Sequence, residues 1–145
     1  MVTRREGSGG FAKPDVMEMT VLAPDRVGLI ADVSEVLAES NLNIDSISVE
    51  TSGGNAIIRI ITPRESEAQA KEALERGGFK TFESNVLVVS MADRPGELAR
   101  VSRKFAEHGI NIENVFLLSK QGAKSIFAFK TNDYEKAKAL MEKHA

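Results

Sequence analysis

The chain has no cysteine and no tryptophan, and only two histidines, four prolines and one tyrosine among its 145 residues. Without cysteine there are no disulfides and no thiol chemistry. His108 and His144 have no neighbours at metal-ligand spacing, so no metal and no cofactor is expected. There is no nucleophile elbow, no Walker loop and no Gly-x-Gly-x-x-Gly. Acid pairs such as Asp32/Glu35 read as the solvated face of a helix. Nothing supports an active site, and the chain is not expected to be an enzyme. An excess of positive charge is also lacking. The net charge is −2, whereas a nucleic-acid binder needs a basic face to displace counterions. No run is long and apolar enough for a membrane span. Arg4 and Arg5 are not followed by an apolar core, so residues 1–10 do not read as a secretory signal. The expected location is the cytoplasm, with no nucleic-acid and no membrane partner.

What the chain does have is a stretch that occurs twice. Residues 25–44 (DRVGLIADVSEVLAESNLNI) align without a gap to residues 93–112 (DRPGELARVSRKFAEHGINI). Asp25/Asp93, Arg26/Arg94, Gly28/Gly96, Ala31/Ala99, Val33/Val101, Ser34/Ser102, Ala38/Ala106, Glu39/Glu107, Asn43/Asn111 and Ile44/Ile112 are identical. This is an internal duplication. In each copy a polar turn with a glycine leads into an amphipathic helix. Leu29, Ile30, Val33, Val36 and Leu37 mark one helical face, and Leu98, Val101 and Phe105 mark the other copy's. Each helix stops at Asn41 or Gly109, where a left-handed cap is cheap. An Asn-Ile pair then opens a strand.

The duplication divides the chain into a tail (1–14) and two modules (15–83 and 84–145). A module of this size buries only about 60% of its unfolded surface, so each should lean on the other or on a second chain. In module one, strands are expected at 16–22, 43–51, 56–61 and 79–82. Ser52–Asn55 is the hairpin turn. Thr62, Pro63 and Glu65 suggest a capping box that starts a helix ending at Gly77-Gly78. The order β-α-β-β-α-β is the ferredoxin-like pattern, an α+β fold. Module two repeats it with strands at 86–90, 110–119 and 125–130. Its last helix is capped by Asn132, with an apolar face of Tyr134, Ala137, Leu140 and Met141. No residues remain for a final strand. The edge of 86–90 should therefore be covered by the other module, another subunit or a domain swap.

The turns carry the functional candidates. A glycine at a helix entry admits a ligand close to backbone. The first N–H groups of the helix suit a carboxylate. Asp25 and Asp93 suit an ammonium, and Asn43 and Asn111 offer donor and acceptor. If strand two starts beside the turn, each Asp/Gly/Asn trio converges on one spot, and the matching ligand is an amino acid. The alternative for the aspartates is an Asx turn or a helix cap. The alternative for the asparagines is termination of the helix–strand loop. Glu97 stands where the first copy has Leu29, and its charge opposes a bound carboxylate. That favours module one.

These residues resemble the ACT domain family, small amino-acid-sensing regulatory modules of ferredoxin-like fold. The resemblance spans residues 15–145 and extends to stand-alone tandem ACT proteins. It implies effector binding at interfaces between paired domains. Its positions are Asp25, Arg26, Val27, Gly28, Leu29 and Asn43, then Asp93, Arg94, Pro95, Gly96, Glu97 and Asn111. Serine-sensing members carry a histidine where this chain has Ala23 or Met91. Phenylalanine-sensing motifs are absent too. The expected function is a non-catalytic, allosteric regulator, binding an amino acid as a homodimer. The alternative is an interaction subunit that pairs with an enzyme or transcription factor and binds no ligand. An RNA-binding module of this fold is disfavoured. Phe127 and Phe129 alternate correctly for base stacking, but 56–61 has no aromatic residue.

Overall fold

The computed structural model describes residues 12–143. Six strands and four helices follow one another as β1 (Ala12–Pro24), α1 (Leu29–Glu39), β2 (Ser46–Ser52), β3 (Asn55–Ile61), α2 (Glu67–Arg76), β4 (Thr81–Ala92), α3 (Glu97–Glu107), β5 (Ile112–Gln121), β6 (Lys124–Thr131) and α4 (Tyr134–Lys143). They form two compact units. One is Met17–Ser84, and the other runs from Asn85 onward and includes residues 12–16.

In the first unit the sheet order is β2-β3-β1-β4. β1 and β2 both run antiparallel to β3, with Met19 opposite Ile60 and Ile47 opposite that same Ile60. Met19, Val21, Ala56, Ile58 and Ile60 face Leu29, Val33 and Leu37 of α1 and Ala70, Ala73 and Leu74 of α2. Val33 and Leu37 are fully buried. Each such side chain contributes about 1.5–3 kcal/mol of burial free energy. The expected helical face is confirmed except at Ile30, which is 37% exposed. Asn41 adopts the left-handed conformation that ends α1 (φ 57°). The expected capping box does not form. Thr62 donates from Oγ1 to its neighbour Pro63 O, a 3-10 turn occupies Arg64–Ser66, and α2 has no side-chain cap.

In the second unit the order is β1-β4-β6-β5. Leu87, Val89, Met91 and Phe129 pack against Val101 and Phe105 of α3 and Ala137, Leu140 and Met141 of α4. Phe105 and Phe129 meet edge to face, 5.3 Å between centroids, worth about 0.5–1.5 kcal/mol beyond burial. Leu98, expected on the core face, is 38% exposed. Asp133, not Asn132, caps α4, accepting the Lys136 N–H at 3.1 Å.

Two strands run through both units. The short strand expected at 79–82 and the one expected at 86–90 are a single strand, β4. β4 lies between β1 and β6. In the second unit its β1 neighbour is the segment 12–16. Residues 12–16 of β1 thus serve the second unit as a strand beside β4. Residues 12–14, expected in the tail, belong to β1; residues 1–11 of that tail lie outside the described residues.

Candidate functional site

Each turn between a unit's first strand and first helix is fixed by backbone. The Asp25 N–H donates to Gly54 O at 2.9 Å, and the Asp93 N–H to Ala123 O at 2.8 Å. Each turn is therefore pinned to the neighbouring hairpin. Gly28 (φ 86°) and Gly96 (φ 89°) then take left-handed conformations that glycine adopts without strain. Neither α1 nor α3 has a side-chain cap. The aspartates are thus not helix caps. The helical hydrogen bonds begin with Asp32 N–H to Gly28 O (3.0 Å) and Arg100 N–H to Gly96 O (2.9 Å). The N–H groups of Ile30 and Ala31, and of Leu98 and Ala99, precede that ladder. Val27 is fully exposed, and Pro95 is exposed as well.

The two turns share a backbone plan and differ in charge. In the first, Arg26 Nη2 donates to Asp32 Oδ2 at 2.6 Å, both half exposed. The Asp25 carboxylate has no hydrogen-bond or ion-pair partner among the described residues. Leu29 is buried beneath the turn. In the second, Glu97 replaces Leu29 and is itself buried. It accepts from Arg94 at 3.2 Å and from Arg100 at 3.1 Å. The hydrogen bond from Arg100, then that from Arg94, holds its carboxyl below the usual glutamate range. Asp93 accepts from Ser125 Oγ at 2.9 Å and pairs with Lys120 at 3.3 Å. The Ser125 hydrogen bond and then Lys120 lower its pKa.

Sequence reasoning missed Asp32, Arg100, Ser125 and Lys120. Arg94, Glu97 and Arg100 are spaced by three, the separation of neighbours on a helix, so that network was readable. The Ser125 contact was not, because it depends on sheet register. Met91 lies opposite Ser125, whereas the aligned Ala23 lies opposite Ala56.

The asparagines are not where the trio argument placed them. Pro24 at the end of β1 is level with Asn55 and, through it, Ser52 at the end of β2. Asn43 precedes the start of β2, and the Asp45 N–H donates to Ile61 O at 2.8 Å. β1 and β2 run parallel within the unit, so their leading ends share one side. Asn43 therefore sits at the far end of the sheet from Asp25 and Gly28, six strand residues or about 20 Å away. Its Nδ2 lies 3.4 Å from Asp45 Oδ1. Asn111 is likewise engaged elsewhere. Its backbone N–H donates to the side-chain Oδ1 of Asn132 at 2.9 Å, and its carbonyl accepts from the Asn132 N–H at 3.1 Å. Within one unit, then, Asp and Gly converge and Asn does not.

Of the two histidines, His108 bonds through Nδ1 to Lys104 O at 2.9 Å, and His144 lies outside the described residues. No helix among the described residues is long and apolar enough to cross a membrane.

A helix-on-sheet unit repeated in tandem, with a glycine turn feeding its first helix, defines a class of small α+β modules of ferredoxin-like fold. The chain belongs to the ACT domain family, whose pattern matches twice, over residues 18–76 and 85–145. ACT domains are regulatory, amino-acid-binding modules. No curated protein matches the sequence. Among solved structures, a protein from Bacteroides thetaiotaomicron superposes with TM-score 0.80 at 21% identity, covering 88% of each chain. The ligand-free regulatory subunit of aspartate kinase from Thermus thermophilus gives TM-score 0.68 at 20% identity, covering 92% of this chain and 94% of that one. The corresponding subunit from Thermus flavus gives 0.69 at 21%, covering 92% and 93%. At these identities the likeness is one of fold.

Proposed function

We propose that the protein is a non-catalytic regulator that binds a free amino acid at the Asp25–Leu29 turn and works as a homodimer. The observation that carries this reading is the state of the first turn. It offers uncapped helix N–H groups at a left-handed glycine and a carboxylate, Asp25, with no partner among the described residues. A ligand carboxylate suits the first and a ligand ammonium suits the second. Asn43 would then contribute from a second copy of the chain, since its own unit holds it at the opposite end of the sheet. The second turn favours a different role for its unit. There Glu97 occupies both arginines and Asp93 is occupied by Ser125 and Lys120. That unit reads as scaffold or partner surface, toward an enzyme or a transcriptional regulator. The likeness to aspartate kinase regulatory subunits supports the regulatory role.

A thermal-shift screen of the twenty amino acids tests it. A ligand at a hundred times its dissociation constant adds about 2.7 kcal/mol. The response should vanish in Asp25→Ala and survive in Asp93→Ala. No response from any amino acid, on folded protein, refutes the sensor reading.

A further inference from the structure

Charge is divided unevenly along the chain. Residues 17–84 hold six lysines and arginines against twelve aspartates and glutamates, whereas residues 85–145 hold ten against seven. The small net charge therefore hides an acidic first unit and a basic second one. The reversal is concentrated on one helix. Asp32, Glu35 and Val36 of α1 align with Arg100, Arg103 and Lys104 of α3. Arg100 answers the change from Leu29 to Glu97, since it donates to Glu97 at 3.1 Å. Arg103 and Lys104 have no ion-pair partner among the described residues. α4 adds to the same surface. It starts where α3 ends: a Cβ built on Gly109 would lie 3.9 Å from Lys136 Nζ. Both helices pack on one face of the sheet, α3 through Val101 and Phe105 and α4 through Ala137, Leu140 and Met141. α4 therefore runs back along α3. Lys136 and Lys143 share one stripe of α4 at i and i+7. Both are exposed and have no ion-pair partner among the described residues. Of the nearby acids, Glu97 is clamped by Arg94 and Arg100, Glu107 closes the α3 stripe, and Glu135 and Glu142 lie about 100° round α4.

We infer that the seam between α3 and α4 is a docking surface for an acidic helix on another protein. Arg100, Arg103 and Lys104 stand at i, i+3 and i+4 of α3, where neighbours are about 5–6 Å apart. Carboxylates at the same spacing on a partner helix meet them one for one, and Lys136 and Lys143 close on it from the other side. Nucleic acid fits less well. The cationic stripes carry no aromatic side chain for base stacking, and a long polyanion meets a chain whose net charge is −2. A second copy fits less well too, because acids on α1 and α2 are committed within their own unit: Asp32 to Arg26, Glu72 to Arg76 and Glu75 to Lys71. The inference deepens the partner role proposed for the second unit and rests on that role. It makes no use of ligand binding at the first turn.

The experiment is fluorescence anisotropy of the full chain with no amino acid added. The probe is a labelled synthetic helical peptide of about four turns, with glutamates at i, i+3, i+4 and i+7 of one face. We expect saturable binding at low salt that disappears near 1 M, where the Debye length is about 3 Å. Lys104→Glu combined with Lys136→Glu should weaken it about tenfold or more. Lys124→Glu combined with Lys130→Glu makes the same change in net charge on β6. Those two lysines alternate with Phe127 and Phe129, which face the helices, so they point to the opposite face of the sheet. That variant should keep most of the binding. Circular dichroism checks that both variants fold. Chemical-shift mapping on unmodified protein gives the variant-free check, with amides in 100–107 and 136–143 moving and those in 124–130 still. No binding at low salt, equal loss in the two double variants, tighter binding of a single-stranded oligonucleotide of equal charge, or salt-sensitive self-association that the peptide does not compete with overturns the inference. A flat amino-acid screen leaves it standing, and its own failure leaves the reading of the first turn unchanged.

Discussion

Gly28→Ala isolates the backbone term at the candidate site. A Cβ built on Gly28 meets only Arg26 Nη1, at 3.7 Å, an ordinary contact. Sterically the methyl is free, so the cost is conformational. At φ 86° an L-residue incurs about 1–2 kcal/mol of left-handed strain. The unfolded chain becomes stiffer, which returns about 0.4–1 kcal/mol. The net loss should be about 0.5–1 kcal/mol, a fall of roughly 1–4 °C in Tm. Gly96 has φ 89° and nothing within 4 Å, so Gly96→Ala should cost the same. The two lie in different units, and the double variant should lose the sum within about 0.5 kcal/mol. Gly28→Asn should lose less, since asparagine tolerates this region. Scanning calorimetry of the four variants measures all of this. Neutral alanine variants would refute the left-handed turn. A loss beyond about 3 kcal/mol at either glycine would mean that the side chain meets something solid.

Two further outcomes follow from the same reasoning. Gly77 has an ordinary φ, but a Cβ there would lie 2.8 Å from Val36 Cγ2 on α1; Val36 is β-branched and stiff, so Gly77→Ala should cost about 1–3 kcal/mol by overpacking. Val36→Ala should restore part of that in a double-variant cycle, and strictly additive losses in urea titrations would refute the clash. Glu97 has a folded pKa below its unfolded one, so its contribution is complete above the unfolded value near pH 4.3 and is lost as pH falls through the lowered folded value. The acid limb of Tm against pH should therefore be shallower in Glu97→Gln than in wild type, and parallel curves below about pH 5 would count against the arginine clamp.

The fold was legible where period and punctuation agree. Val33 with Leu37, and Val101 with Phe105, sit at helical spacing, and Asn41 and Gly109 end those helices as expected. Ile30 and Leu98 share that spacing and still face outward, because periodicity locates a stripe and not its rim. The join at 79–92 was not legible. Glu83, Ser84 and Asn85 read as loop, yet they sit inside β4, where the strand's place in the sheet overrides weak local propensity. The strand role of 12–16 was hidden because its partner lies some seventy residues later. At the candidate site, Asp25 and Gly28 share one turn. Asn43 was misplaced because the trio argument ignored direction. A β-α-β crossover returns the chain to the starting end of the sheet.

The copies diverge where chemistry would act. What they kept is geometry: the aspartate whose N–H ties to the hairpin, the left-handed glycine and the helix behind it. What changed is the supply of unpaired polar groups. Leu29 became Glu97, Asp32 became Arg100, and the register partner Ala56 became Ser125. Each change in the second copy gives a polar group a partner inside the chain. A turn that neutralises its own charges has little left with which to tell a zwitterion from water, because any ligand must displace partners already in place. A turn that keeps Asp25 uncommitted has no internal partner for a ligand to displace there. Since a ligand shifts an assembly only by the difference in its affinity for two states, the proposed response would be carried by the unit with the open turn.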